Sequence, residues 1–165
     1  MHLIGIAGPA RSGKNTVAEI LSKQLEDYKT VAFADPIKQM LEVININTAD
    51  DLKTEGTYLG PLVTPRILMQ TLGTEWGRSI DENIWLKVFV TNLREDSRII
   101  VPDVRFENEA NLIRSYGTLI HITGRGGIPG NHESEDGVRA KKDDVIINNI
   151  GTIEDLKKQI SHLRF

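Results

Sequence analysis

The stretch Leu3-Ile4-Gly5-Ile6-Ala7-Gly8-Pro9-Ala10-Arg11-Ser12-Gly13-Lys14-Asn15-Thr16 restricts this chain more than any other. A short apolar run of strand type enters a glycine-rich turn, which runs straight into a helical pattern with Val17, Ala18, Ile20, Leu21 and Leu25 on its apolar stripe. Gly8 and Gly13 let the backbone curl so that successive N–H groups face a phosphate, the helix N-terminus adds a partial positive charge, and Lys14 adds a full one. Gly8, Ala10, Arg11, Ser12, Gly13, Lys14, Asn15 and Thr16 are therefore candidate contacts to a polyphosphate. The bland alternative is an ordinary glycine-rich strand-to-helix turn, and Gly-x4-Gly-Lys in this context favours nucleotide binding over it. Asn15 stands where a Ser or Thr usually ligates magnesium; an amide oxygen or a water can substitute there, and Thr16 can donate to the α-phosphate.

A chain of 165 residues fits one domain with a substantial core. Its 39% hydrophobic and 26% charged residues are those of an ordinary globular protein. A net charge of −3 and a pI near 5.8 argue against a nucleic-acid binder with a basic surface, but not against a basic pocket. With no cysteine, neither disulfides nor thiolate metal sites are available. No apolar run reaches the ~18 residues of a membrane span, and the N-terminus enters a strand too soon for a signal peptide. A cytoplasmic protein without membrane or nucleic-acid partners is expected.

Further along, Thr30 to Ala34 reads as a buried second strand, after which Asp35-Pro36 starts a helix bearing Ile37, Met40, Leu41 and Ile44. Ligands of open α/β sheets gather at strand carboxyl ends, which makes Asp35 and Lys38 candidates; an N-cap aspartate and a solvated lysine are the equal alternative. Residues 45–63, with Asn45, Asn47, Asp50, Asp51, Gly56, Gly60 and Pro61, read as a surface excursion, a candidate flap. Thr64-Pro65-Arg66 opens the next helix. If that helix persists through Gly73, Arg66, Gln70, Thr74 and Arg78 form a polar stripe suited to a phosphate and a base or sugar, against the blander reading of a solvated face. Core burial is the favoured role of Trp76 and of Trp85, the latter on a helix from about Asp81 to Leu93.

Arg98 to Asp103 reads as a third buried strand ending in an acid, on the same sheet edge as the phosphate loop. There Asp103 can hold the magnesium hydration shell and Arg105 can reach a phosphate, although Asp103 can also cap the helix Phe106 to Tyr116. Thr118 to Thr123 is a fourth strand with a packed, hydrogen-bonded His121. Residues 124–135 have the composition of a lid, with glycine hinges around Arg125, and a disordered surface loop competes with that reading. Asp144 to Asn149 is a fifth strand, and Thr152 caps a closing helix with Ile153, Leu156, Ile160 and Leu163 on its apolar stripe. The whole is one β/α alternation.

The words Gly8 to Thr16 (GPARSGKNT), Phe33 to Lys38 (FADPIK), Thr64 to Arg78 (TPRILMQTLGTEWGR), Asp103 to Ala110 (DVRFENEA) and His132 to Glu135 (HESE) span most of the chain. In them the chain resembles the bacteriophage deoxynucleoside monophosphate kinases, within the P-loop nucleoside monophosphate kinase fold. The resemblance implies an α/β three-layer sandwich, its five-stranded parallel sheet in the order 2-3-1-4-5 flanked by helices, forming a single kinase domain over residues 1–165. The acceptor region would be about 36–95 and a short lid about 124–140. It implies ATP on the phosphate loop, Mg²⁺ near Asn15 and Asp103, and a deoxynucleoside monophosphate (dNMP) as acceptor. On that view Arg66 holds the acceptor phosphate, and Gln70, Glu75 and Trp76 help form the acceptor pocket. Asp35, Lys38, Thr74, Arg78, Arg105, Asn108, Glu109 and His132 are further candidate substrate contacts, while Asn149 and Gly151 lie near the donor adenine.

The reaction so implied moves the γ-phosphoryl group of ATP to the dNMP phosphate, in the host cytoplasm if the chain is phage-encoded. The acceptor oxygen is already anionic, so catalysis rests on positioning and charge neutralisation by Lys14, Arg11, Arg105, Arg125 and Mg²⁺, with Asp103 beside them. Another small-molecule kinase of this fold, acting on phosphomevalonate or dephospho-coenzyme A, is the nearest rival. A nucleotide-operated switch is weaker, since neither Asn-Lys-x-Asp nor Asp-x-x-Gly after the third strand occurs. The acidic balance disfavours a nucleic-acid-dependent ATPase. Oligomeric state is open, a homodimer through Trp76 or Trp85 included.

Overall fold

A computed structural model describes residues 1–49, 52–127 and 132–165. The elements in chain order are β1 (His2–Ala7), α1 (Lys14–Gln24), β2 (Lys29–Thr30), α2 (Asp35–Val43), α3 (Pro65–Gln70), a π-helical stretch (Thr71–Arg78), α4 (Ile84–Thr91), β3 (Arg98–Val104), α5 (Glu107–Tyr116), β4 (Gly117–Thr123), a 3-10 turn (Glu133–Glu135), β5 (Val145–Asn148) and α6 (Ile153–Ser161). They divide into two compact units, Met1–Ala32 with Leu93–Phe165, and Phe33–Asn92.

The first unit holds the sheet. All five strands run parallel in the order β2-β3-β1-β4-β5, as the resemblance implies. β1 lies between β3 and β4, with Ile4 opposite Ile100 and Thr118. A parallel sheet is covered on both faces, so its strands are apolar throughout instead of alternating with polar residues. Ile4 and Ile6 pack with Ile100, Ile120, Ile122 and Ile147 against Val17 and Leu21 of α1 and Leu156 and Ile160 of α6. The intervening Gly5 belongs to the opposite face, where a Cβ would come within 2.8 Å of the Ile113 side chain of α5. Glycine there lets α5 sit close to the central strand.

The second strand is shorter than the sequence suggests. Only Lys29 and Thr30 pair, with Ile99 and Ile100, and the Val31 N–H adds one bond to the Ile100 carbonyl. The apolar run beyond is buried for another reason: Phe33 packs on Phe89, ring centroids 4.6 Å apart, as the start of the second unit.

In that second unit the Thr64 hydroxyl accepts the Ile67 N–H at 3.3 Å and Pro65 occupies the first helical position of α3, as expected from the sequence. The backbone stays helical from Pro65 through Arg78, but as a wider π turn from Thr71 onward. Trp85 explains Gly77, and Gly73 stands against Ile37, whose Cδ1 would lie 3.0 Å from a Cβ there. The Trp85 indole N–H donates to the Gly73 carbonyl at 2.7 Å, and a Cβ on Gly77 would fall 2.6 Å from the indole ring. Trp85 is therefore core, as expected, whereas Trp76 is 46% exposed and departs from the expected burial. Of this stretch, Gly73 and Gly77 are the buried residues, Gly77 against the indole and Gly73 accepting its N–H, while Trp76 is exposed. The excursion at 45–63 closes on itself through bonds from Thr57 N–H to the Val63 carbonyl and from Gly60 N–H to the Thr57 carbonyl. Asp50 and Asp51 lie outside the described residues, as do residues 128–131 of the expected lid.

Candidate active site

At the end of β1 the chain turns through Gly8 (φ +148°), Arg11 (φ 61°) and Gly13 (φ +100°). A Cβ on Gly8 would lie 2.7 Å from the Ile122 carbonyl oxygen, so both backbone angle and space demand glycine. The turn is closed by the Ser12 N–H donating to the Pro9 carbonyl at 3.2 Å, and α1 starts with Val17 N–H on the Gly13 carbonyl. Lys14 is the first residue of α1, and its Nζ donates to the carbonyls of Gly8 and Pro9, each at 2.7 Å. The ammonium is thus folded onto the loop it belongs to. Ser12 is fully buried, and its Oγ has no hydrogen-bond partner among the described residues. A positively charged loop at a helix N-terminus with an orphaned buried hydroxyl fits a polyphosphate.

Two loops of the same unit brace this turn from outside. After β4, Gly127 donates its N–H to the Ala10 carbonyl at 3.1 Å, and a Cβ on Gly126 would fall 2.3 Å from that same oxygen. Arg125, between them and the strand, donates through Nη2 to the Gly151 carbonyl at 2.8 Å. After β5, the buried Asn149 donates through Nδ2 to the Ser12 carbonyl at 2.8 Å. Gly126, Gly127 and this contact of Asn149 were not legible as loop supports, because the partners are far apart in sequence. The doubled glycine was the one available signal.

Ala7 pairs with Val104 across β1 and β3, so Asp103 stands level with the start of the phosphate loop. Arg105 follows, and its Nη1 donates to the Ser134 carbonyl at 3.3 Å. Ser134 is itself buried, its N–H donating to His132 Nδ1 at 3.2 Å and its Oγ 2.9 Å from the same nitrogen. His132 thereby shapes the turn that receives Arg105. Glu109 has a capping role: buried, it accepts the N–H groups of Arg105 at 2.8 Å and Phe106 at 3.1 Å, while the Asn108 side-chain oxygen accepts the Glu109 N–H. Ser134 was not singled out from the sequence, although it sits inside the word HESE.

For magnesium, the described residues include no group of three His, Cys, Asp or Glu able to form a cage. A magnesium carried by a nucleotide takes one or two protein oxygens and fills the rest with phosphate and water. Asp103, level with the loop, and Asn15, exposed in the first turn of α1, suit that sparse donor set.

The segment returning from residues 132–135 to β5 is anchored by Asp144. Arg114 of α5 grips its carboxylate through Nε at 3.0 Å and Nη2 at 2.7 Å, the Lys141 N–H donates at 2.7 Å, and His121 Nε2 lies 3.0 Å away. Burial opposes the Asp144 charge, but these donors outweigh it and hold the carboxyl down at about 2. His121 is hydrogen-bonded and buried, as the sequence suggests.

With this geometry in view, the sequence profile described as Deoxynucleotide monophosphate kinase matches residues 62–160. The chain belongs to the deoxynucleotide monophosphate kinase family. A protein of Acanthamoeba polyphaga mimivirus, provisionally named deoxynucleotide monophosphate kinase, is 30% identical, with 97% of this chain and 94% of that one covered. The deoxynucleoside-5'-monophosphate kinase of Escherichia phage T5 is 24% identical over 96% of this chain and 94% of its own length. Among solved structures, shikimate kinase from Aquifex aeolicus vf5 matches with a TM-score of 0.55 at 16% identity, covering 96% of this chain and 94% of that one. This last likeness concerns the fold alone.

The remaining candidates of this kinase lie in its second unit. Asp35 opens α2 and pairs with Lys38 at 2.8 Å. Arg66 and Gln70 belong to α3, and Thr74, Glu75, Trp76 and Arg78 to the π-helical stretch, where Arg78 Nη1 donates to the Glu82 carbonyl at 2.9 Å. The expected stripe has a structural counterpart: Arg66, Gln70, Thr74 and Arg78 are all half-buried, while Ile67, Thr71, Glu75 and Ser79, one residue on, are exposed. Among the described residues, no helix is long and apolar enough to cross a membrane.

Proposed function

We propose that this kinase transfers the γ-phosphoryl group of ATP to the phosphate of a deoxynucleoside monophosphate in the cytoplasm, giving ADP and a deoxynucleoside diphosphate. The observation that carries this reading is the phosphate loop with Lys14 folded onto it, in a chain of this family. The loop N–H groups and the N-terminus of α1 bind the donor phosphates, and Lys14 leaves the carbonyls of Gly8 and Pro9 to reach the β- and γ-oxygens. Arg11 and Arg125 neutralise charge along the transferring group, and Arg105, supported by Ser134, orients it. Gly151 lies on the donor side. Magnesium, held by Asp103 and Asn15, supplies charge neutralisation on the phosphate oxygens when bound.

The unit Phe33–Asn92 takes the acceptor on this reading. Arg66 holds its phosphate; Gln70, Thr74, Glu75 and Arg78 offer polar contacts; the exposed indole of Trp76 offers a face for a base, and the paired Asp35 and Lys38 at the start of α2 are further contacts. An ADP-release assay with ATP and Mg²⁺ against a panel of deoxy- and ribonucleoside monophosphates tests the proposal, each product being identified by chromatography. Selective conversion of one or more deoxynucleotides supports it. No conversion by folded, ATP-binding protein overturns the acceptor assignment.

A further inference from the structure

Asn149 is one of the few polar residues buried in the first unit, at 7% exposure, and its side-chain amide is spent on the Ser12 carbonyl, 137 positions away in the chain, at 2.8 Å. The two are so close that a Cβ on Gly13 would fall 2.5 Å from Asn149 Nδ2. In a planar trans peptide the C=O of one residue and the N–H of the next point in opposite directions. A donor fastened to the Ser12 carbonyl therefore turns the Gly13 N–H away from Asn149. Gly13 is the cap residue of α1, at the end of the helix where N–H groups lack intrahelical acceptors and are available to an anion. The Ala10–Arg11 peptide is held in the same sense by the Gly127 N–H on the Ala10 carbonyl. That second brace is made by backbone, so Asn149 is the side chain of the pair.

We infer that Asn149 is a positioning residue for the donor phosphates: it presets the Ser12–Gly13 peptide so that the Gly13 N–H faces the polyphosphate, and does not act by recognising the adenine. The inference rests on the phosphate-loop reading above. A preset donor strengthens binding by removing the cost of turning the peptide when the anion arrives.

The test uses Asn149→Leu, which keeps the approximate shape and introduces no charge, and Asn149→Ala, which leaves space should leucine be poorly accommodated. Dissociation constants for ATP and for inorganic tripolyphosphate, which has no base, are measured on the whole chain beside a thermal melt without ligand. Losing one buried hydrogen bond predicts about fivefold to tenfold weaker binding, equal for ATP and for tripolyphosphate, with the KM for the dNMP unchanged. In ¹⁵N–¹H spectra the shift of the Gly13 amide on adding tripolyphosphate shrinks in the folded variants. If folded variants bind tripolyphosphate like the parent while ATP alone weakens, Asn149 reads the base and the inference fails. Equal affinity of parent and variants for both ligands also overturns it. Failure of the parent to bind either ligand would instead overturn the phosphate-loop reading itself.

Discussion

The Lys14 ammonium donates to the Gly8 carbonyl at 2.7 Å, so a full positive charge at the phosphate loop is held by the loop's own backbone. Phosphate oxygens are better partners for it than neutral carbonyls, since both charges then contribute. Lys14→Ala should leave the fold intact and lower turnover by roughly a thousandfold. Steady-state assays beside far-UV circular dichroism check this, and parent-like turnover in a folded variant would refute the role given to Lys14.

Arg105 meets the Ser134 carbonyl with one arm of its guanidinium. Lysine keeps the charge but cannot hold that carbonyl and a phosphate in a fixed planar fork. For Arg105→Lys we expect kcat to fall by about tenfold to a hundredfold with little change in melting temperature. A variant as active as the parent would show that orientation at Arg105 contributes nothing.

Gly77 leaves no space for a methyl group, with the Trp85 ring 2.6 Å from where a Cβ would stand and the indole tied to the Gly73 carbonyl. Gly77→Ala should cost about 1–3 kcal/mol through overpacking, seen as a lower melting midpoint and an altered Trp85 fluorescence. Unchanged melting and emission would contradict the packing described.

Asp144 supplies a pH dependence whose sign follows from its donors. With the folded carboxyl at about 2 and an unfolded value near 3.9, its contribution is fully present above roughly pH 4 and lost as the pH falls toward 2. The amount is on the order of 2 kcal/mol. Urea unfolding of the parent and of Asp144→Asn at pH 6 and pH 3 checks it: the gap between them should narrow at the lower pH. A constant gap would mean that the ion pair with Arg114 is not the cause.

Much of this was legible from local pattern. The phosphate loop announces itself because every part of its physics, apolar strand, glycines, lysine and helix, lies within residues 3–21. The limits are equally physical. The run from Thr30 to Ala34 has strand composition, yet burial alone does not say whether a residue faces a sheet or, like Phe33, a phenylalanine far along the chain. A spacing of four from Arg66 to Arg78 suits an α or a π turn, and what marks the π stretch as a seat for Trp85 is contact with Gly73 and Gly77, invisible to periodicity. The family resemblance makes Glu109 a candidate substrate contact, and the backbone it caps lies three and four residues upstream, at a spacing legible in the sequence. The resemblance implies a place for Asn149 near the donor adenine, whereas its bond to Ser12, 137 positions away, is visible only in the fold.

The segment Phe33–Asn92 enters from β2 and leaves toward β3, strands that are hydrogen-bonded neighbours in the sheet. It is therefore one long crossover, and no strand that flanks β1 begins inside it. The residues that set the register of β1 with β3 and β4 all lie outside it. The pairings at the centre of the sheet are thus written in stretches of sequence that a change of length within Phe33–Asn92 does not interrupt.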